Sequence, residues 1–191
     1  AVADRGCSVL YETASRLFSK LEQAKFGGGE DARREAEKYN ECDLLILDDL
    51  GTAIMEVKGG SAGPLYGTMV GGLGVELGPD ENELDAGAVK RMFAGCLSEM
   101  EDITTAKVGD KTMMDALIPA VEAAQAAEGS PKDILLAAAE AAEAGAKASE
   151  QFVSKFGRAR SYKEQTIGTP DAGAVSTSLF IQGLAEGAGA L

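Results

Sequence analysis

The segment from Gly59 to Thr68 combines closely spaced glycines with hydroxyl side chains. Glycines clear side chains from the backbone, so that several N–H groups can point at one anion. A helix that begins near Pro64 would add the partial positive charge of its N-terminus. Ser61 and Thr68 offer hydroxyl groups to phosphate oxygens. The segment therefore predicts a phosphate site, although its composition also fits a tight helix–helix connection.

Two further loops lead into helices and carry charged side chains. In residues 109–115, which read Gly-Asp-Lys-Thr-Met-Met-Asp, Asp110 suits either a binding site or a helix cap. In residues 157–173, Arg158 suits bidentate neutralisation of a phosphate, and Asp171 suits a ribose hydroxyl or a metal ion. Loops this long are commonly functional, but a solvated surface loop also fits. Together the three loops predict a shared anion site.

Histidine is absent from the 191 residues. Its absence excludes Ser-His-Asp and Cys-His catalysis and His-ligated zinc in this chain. The cysteines Cys7, Cys42 and Cys96 are widely spaced, form no zinc pattern and fit a reducing compartment, so we expect a cytoplasmic protein. Chemistry here must use carboxylates, hydroxyls, lysine, arginine, backbone amides or a metal ion.

The net charge of −13 limits the possible partners. Such a field repels nucleic-acid phosphates and anionic lipid. The basic cluster of Arg158, Arg160 and Lys163 is large enough for one phosphate group but too small for a nucleic-acid surface. No apolar run approaches the ~20 residues of a membrane span. We expect neither a nucleic acid nor a membrane as a partner.

The elements that must position these loops are mainly helices. Aromatic residues make up only 5% of the chain and tryptophan is absent, which favours a core of small aliphatic residues between closely packed helices. Helical spacing predicts helices over residues 83–100, 112–128, 131–155 and 174–186. Upstream, residues 8–11 and 44–47 have the character of short buried strands. The predicted fold class is mainly α, with an atypical N-terminal segment that is either α/β or helical.

Three segments carry a resemblance to a known family. GGSAGPLYGT, VGDKTMMDALIPAVEAA and GRARSYKEQTIGTPDAGAVSTSL resemble, in order and spacing, signature segments of the dihydroxyacetone kinase L subunit. The resemblance covers about residues 53–191. It implies an antiparallel helical barrel that binds ADP or ATP and takes part in phosphoryl transfer to dihydroxyacetone. It also implies two partners, a dihydroxyacetone-binding kinase subunit and a phosphoryl-donor subunit.

The resemblance also implies a set of nucleotide-binding residues, without identifying a catalytic one. Ser61 and Ala62 would lie against the phosphates, and Met113 and the loop around Thr104 would lie near the adenine. The complete set is Gly60, Ser61, Ala62, Gly63, Thr104, Met113, Arg158, Asp171, Ala172 and Gly173. The chain departs from the family at three places: the family usually has Gly at Thr104, Ala-Ser at Ser61-Ala62, and often Asp-Pro-Gly at Asp171-Ala172-Gly173.

The largest departure lies upstream, where the family has a Gly-Asp-x-Asp-His-Gly loop whose aspartates bind Mg²⁺. Without histidine this loop is not intact. Residues 4–52 instead resemble AAA+ helicase-loader and transposon-associated ATP-binding proteins, in which LLILDDLG is the Walker B strand. Asp48 and Asp49 would then position Mg²⁺ and replace the lost aspartates, although no Walker A motif accompanies them.

A junction near Thr52 is therefore predicted, between an atypical segment, residues 1–52, and a nucleotide-binding domain, residues 53–191. A fused, recombined or artificially generated chain would have this organisation. Three functions remain open: a phosphotransferase of the dihydroxyacetone kinase type, a nucleotide-binding or interaction module without turnover, and an AAA+ ATPase fragment. A stable helical protein without function is the remaining possibility.

Overall fold

The computed structural model describes residues 47–56, 60–78 and 84–189. Its helices are α1 (Leu47–Glu56), α2 (Ala62–Val75), α3 (Ala86–Ile103), α4 (Met114–Ala126), α5 (Pro131–Ala148) and α6 (Ala172–Gly187), with short 3-10 helices at Ser149–Gln151 and Arg158–Thr166. The predicted mainly α fold class is confirmed, since these ranges contain no strand. The chain divides into two units, Ala1–Gly74 and Val75–Leu191. Among the described helices, none is long and apolar enough to cross a bilayer.

Leu47, Asp48 and Asp49 lie in helix α1, so the prediction of a Walker B strand is wrong at these residues. The apolar residues Leu47, Leu50 and Ile54 recur at helical spacing, which favours a helix over a strand once the run is read beyond Asp49. The other residues with predicted strand character, 8–11 and 44–46, lie outside the described residues.

Helices α1 and α2 of the first unit approach each other through glycines. A Cβ atom on Gly51 would lie 2.6 Å from the carbonyl oxygen of Gly67 and 2.7 Å from the Cα of Gly71. Each glycine costs a helix about 1 kcal/mol relative to alanine. Close packing offsets this cost, and α2 begins at Ala62, slightly before its predicted start near Pro64.

Helices α3 to α6 of the second unit build a core in which alanine predominates. Helix α5 packs most extensively against α4 and α6. Ala120 and Ala124 of α4 and Ala138 and Ala142 of α5 are fully buried, which lets the two backbones approach closely. Larger side chains fill the remaining space: Phe93, Met100, Met114, Leu117, Ile134 and Ile181.

Capping residues set the helix boundaries around the loops of the second unit. Ser130 and Asp133 form a capping box, which confirms the predicted start of α5 at Pro131. The predicted end of α5 near Lys155 is wrong, because the helix stops at Ala148 and a 3-10 turn follows. The predicted polar loop of residues 157–173 contains a 3-10 helix, and α6 begins directly after Asp171.

Candidate functional site

A buried lysine joins three loops of the second unit. Lys111 is 5% exposed, and its Nζ donates to the carbonyl oxygen of Ser149 at 2.7 Å and to that of Thr169 at 2.6 Å. These acceptors lie after α5 and before α6, respectively. Lys111 is part of a loop motif, but the sequence alone does not reveal its role, because its acceptors are distant in sequence.

The buried carboxylate of Asp115 shapes the loop that carries Lys111. Its Oδ1 accepts from the amide of Gly109 at 2.6 Å, and its Oδ2 accepts from the amide of Thr112 at 2.6 Å. The side chain has no exposed surface, so these charge-assisted bonds replace its hydration. Lys111 has a left-handed φ of 59° within the same loop. This role of Asp115 was not predicted from the sequence, where an acid in the first turn of α4 is its only local signal.

Asp110 lies on the outside of this loop and does not cap α4. Its Oδ2 accepts from the amide of Lys107 at 2.8 Å, and its Oδ1 pairs with Lys155 Nζ at 2.6 Å. The hydrogen bond from Lys155 is the main cause that lowers the pKa of Asp110, with the Lys107 amide next. The expectation that Asp110 is a helix cap is wrong, since α4 has no side-chain cap.

Asp171 caps α6 and is itself held in place by Ser149. Its Oδ2 accepts from the amide of Ala174 at 2.9 Å, and its own amide donates to Ser149 Oγ at 2.8 Å. Burial is the main cause that raises the pKa of Asp171, and the negative charge of Asp115 adds to it. The amides of Ala174 and Gly173 and the charge of Lys111 act in the opposite direction.

Met113 and the N-terminus of α6 are neighbours. A Cβ atom on Gly173 would lie 3.3 Å from the Met113 nitrogen and 3.4 Å from the Met113 Cβ. Met113 is buried, whereas Ala172 is exposed as the first residue of α6. The structure thus brings together four of the predicted residues, namely Met113, Asp171, Ala172 and Gly173.

Thr104 and Arg158 belong to the same unit but take no part in the hydrogen bonds that join Lys111, Ser149 and Asp171. Thr104 ends α3, where its amide donates to the Met100 carbonyl and its Oγ1 accepts from the Ala106 amide. Arg158 is exposed and begins the second 3-10 helix.

The other predicted phosphate contacts lie in the first unit. Gly60 has a φ of 57°, a conformation that favours glycine, and forms a turn with Ser61 before α2. The Ser61 carbonyl accepts from the Leu65 amide at 3.3 Å. Ala62 is exposed at the start of α2, and Gly63 is buried. A left-handed glycine before a helix N-terminus is compatible with the predicted anion site.

The described side chains do not form a magnesium site. They contain no group of three acidic or cysteine residues close enough to hold a metal ion. Both oxygens of Asp115 accept backbone amides, and Oδ2 of Asp171 caps α6, so neither carboxylate is directed at a common cation. The assignment of Asp48 and Asp49 as metal ligands stays a prediction.

Comparisons with known proteins agree on one family. The model for the DAK2 domain matches residues 28–186. D-erythrulose kinase from Mycolicibacterium smegmatis is 33% identical over 144 residues, which are 74% of this chain and 25% of that protein. The ADP-binding subunit DhaL of PEP-dependent dihydroxyacetone kinase 2 from Listeria innocua is 30% identical over 143 residues, which are 74% of this chain and 66% of that protein. The chain therefore spans less than two thirds of both relatives.

A crystal structure of the dihydroxyacetone kinase from C. freundii, in complex with AMP-PNP and Mg²⁺, aligns with 91% of this chain and 31% of its own. The sequence identity is 28% and the TM-score 0.48. The match to the DAK2 model includes residues 28–52, which belong to the segment whose sequence resembles AAA+ proteins. It gives the AAA+ resemblance no support, and the boundary near Thr52 stays a prediction.

Proposed function

The chain belongs to the DAK2 domain family, and from this membership we propose that it is a nucleotide-binding domain of a ketose kinase, with ADP or ATP as its ligand. The observation that carries the proposal is the N-terminus of α6, capped by Asp171 and placed beside Met113. The relative from Listeria innocua, an ADP-binding subunit, supports the choice of nucleotide.

The local chemistry fits a nucleotide. The N-terminus of α6 carries a partial positive charge that attracts phosphate in an otherwise acidic chain. Gly173 leaves no side chain between the helix backbone and Met113, whose polarisable thioether suits contact with an aromatic base. The exposed guanidinium of Arg158 would pair with phosphate oxygens in the bound state.

Phosphoryl transfer to a small ketose is the activity that follows from this binding. The two relatives act, by their names, on D-erythrulose and dihydroxyacetone, so we infer a short-chain ketose as the acceptor. The ketose would be held by a further domain or by a separate dihydroxyacetone-binding subunit. A phosphoryl-donor subunit would serve as the second partner in the PEP-dependent arrangement.

A nucleotide-binding module without turnover is the second candidate. Two observations favour it: histidine is absent, so the family's Mg²⁺ loop is not intact, and the described side chains do not form a magnesium site. Two features disfavour an AAA+ ATPase fragment: the chain lacks a Walker A motif, and residues Leu47 to Asp49 are helical.

Calorimetric titration of the chain with ADP, with and without Mg²⁺, tests the proposal. Arg158→Ala is expected to weaken ADP binding by about tenfold, because a charge-assisted hydrogen bond is lost. Lys132→Ala removes an exposed positive charge near Gly189, beyond the opposite end of α6, and is the control that should leave the affinity within about twofold.

The dependence on Mg²⁺ separates the two candidates. Binding that tightens strongly with Mg²⁺ supports a phosphotransferase, and makes Asp48→Ala and Asp49→Ala the next variants. Binding that Mg²⁺ leaves unchanged supports a module without turnover. No binding in either condition contradicts both candidates.

A further inference from the structure

Lys111 is the only lysine or arginine buried among the described residues. Lysine is almost never fully buried unless its ammonium group has partners, because desolvation of the charge is costly. Its backbone also has a left-handed φ of 59°, a conformation that side chains other than glycine adopt at a cost. The fold therefore bears two unfavourable contributions at one residue, and strained residues cluster at functional sites.

The partners of this ammonium group are backbone carbonyls from two other segments. The bonds to Ser149 and Thr169 reach across 38 and 58 residues of sequence. An ammonium group is a point charge with three donors, so one lysine can hold two chain segments at a fixed separation. No described carboxylate lies within salt-bridge distance of Lys111. Its hydrogen bonds therefore restrain the backbone, while its charge acts on the carboxylate of Asp171 only from beyond salt-bridge distance.

Both restrained segments determine where α6 begins. Ser149 uses its carbonyl for Lys111 and its Oγ for the amide of Asp171. Thr169 lies two residues before Asp171, and the adjacent Gly168 donates its amide to the Glu150 carbonyl at 2.8 Å. The ammonium group thus holds both the segment that contacts the cap residue Asp171, through Ser149, and the segment that leads into the cap, through Thr169.

We propose that Lys111 is a positioning residue for nucleotide binding, which acts through Ser149 and Thr169 to hold Asp171 and Gly173 in register with Met113. This role rests on the proposed nucleotide-binding function. Lys111 does not touch the nucleotide. It fixes the N-terminus of α6 before the nucleotide binds. The entropy cost of ordering this segment then falls on folding and does not reduce the binding affinity.

The test is ADP affinity, measured calorimetrically on the full chain for Lys111→Met, Ser149→Ala and the double variant. Methionine retains the apolar part of the lysine side chain but removes both hydrogen bonds. Lys111→Met is expected to weaken ADP binding by about tenfold or more, with the helical circular dichroism signal retained. Ser149→Ala keeps the carbonyl acceptor, loses the hydroxyl that meets Asp171, and is expected to weaken binding severalfold.

The double variant distinguishes positioning from general destabilisation. If Lys111 acts through Ser149, the two effects are coupled, and the double variant should bind about as weakly as Lys111→Met alone. Lys155→Met is the matched control, because it removes an exposed ammonium group paired with Asp110 of the same loop. Its ADP affinity should stay within about twofold of the wild-type value.

Three outcomes overturn the role of Lys111. The first is a folded Lys111→Met variant that binds ADP as the wild type does, and the second is a double variant whose effect equals the product of the single effects. The third applies if Lys111→Met does not fold: an ADP affinity of Ser149→Ala that equals the wild-type affinity. Absence of ADP binding by the wild type contradicts the proposed function instead, so the two failures are distinguishable.

Discussion

The carbonyl oxygen of Asp115 occupies the space that a Cβ atom of Gly145 would need. The carbonyl carbon of Asp115 and the Cα of Ala116 would lie 3.1 and 3.3 Å from the same Cβ. The carboxylate of Asp115 meanwhile holds the amides of Gly109 and Thr112. Helices α4 and α5 therefore make a very close approach at the residue that shapes the Lys111 loop.

Gly145→Ala is expected to lower the free energy of unfolding by about 2 kcal/mol, because backbone atoms would have to move apart. Urea unfolding followed by circular dichroism measures the change. Gly183→Ala in α6 is the matched control, since its Cβ would meet nothing within 4 Å. The control should gain up to about 1 kcal/mol from helix propensity. Equal stability of the two variants would show that α4 and α5 are not tightly packed there.

Gly173→Ala is expected to weaken ADP binding, because its Cβ would lie 2.9 Å from Asp171 Oδ2 as well as close to Met113. The cap must shift, which costs about 1 kcal/mol of stability. Calorimetry gives the affinity and urea unfolding gives the stability. Gly187→Ala, at the opposite end of α6 with open space around it, should leave ADP affinity unchanged. If Gly173→Ala bound ADP as tightly as the wild type does, the close approach of Gly173 to Met113 would not belong to the nucleotide site.

Lys163→Gly is expected to raise the free energy of unfolding by about 1 kcal/mol, because Lys163 is exposed and has a φ of 48° and a ψ of −128°. Glycine adopts this conformation without steric strain. Arg160→Gly is the control, at an exposed residue of the helical turn that precedes the kink at Lys163, where φ is not positive. It should lose stability. A loss in both variants would mean that the backbone at Lys163 is unstrained.

Asp171→Asn is expected to keep the cap of α6, whereas Asp171→Ala should lose about 1 kcal/mol, because asparagine caps helices as well as aspartate does. Burial raises the pKa of Asp171 in the folded protein above its unfolded value. Between these two values the folded state holds more protons, so the wild type loses stability as pH rises through that window.

The stability of wild type relative to Asp171→Asn should therefore improve as pH is lowered from 7 through this window. Urea unfolding at several pH values measures the difference, in which the other acids common to both proteins largely cancel. A difference that does not change with pH, or that changes in the opposite direction, would contradict the raised pKa of Asp171.

Local signals allowed parts of the fold to be predicted from sequence. The start of α5 follows from Ser130, Pro131 and Asp133, which cap the helix without help from distant residues. The prediction of a strand over Leu44–Leu47 is wrong at Leu47, the one residue of this run that the structure describes. A short apolar run does not distinguish a strand from a helix. The helicity of α2, despite its glycines, depends on contact with Gly51, which the local sequence does not reveal.

The candidate site was predictable only in part. The resemblance selected Met113, Asp171, Ala172 and Gly173, and the structure places them together. The roles of Lys111 and Asp115 were not predicted. The local sequence does not show whether a lysine is buried or solvated. The burial of Lys111 depends on the carbonyls of Ser149 and Thr169, which are remote in sequence.

The span of these two bonds has a consequence for synthesis on the ribosome. When Lys111 leaves the exit tunnel, its two acceptors, which follow it by 38 and 58 residues, have not yet emerged, and its ammonium group remains hydrated. Helices α4 and α5 can associate as soon as both are complete, but the ammonium group loses its water only after Thr169 emerges. The edge of the candidate site is thus among the last parts to form, and a chain terminated before Thr169 would lack both this edge and helix α6, which supplies part of the core.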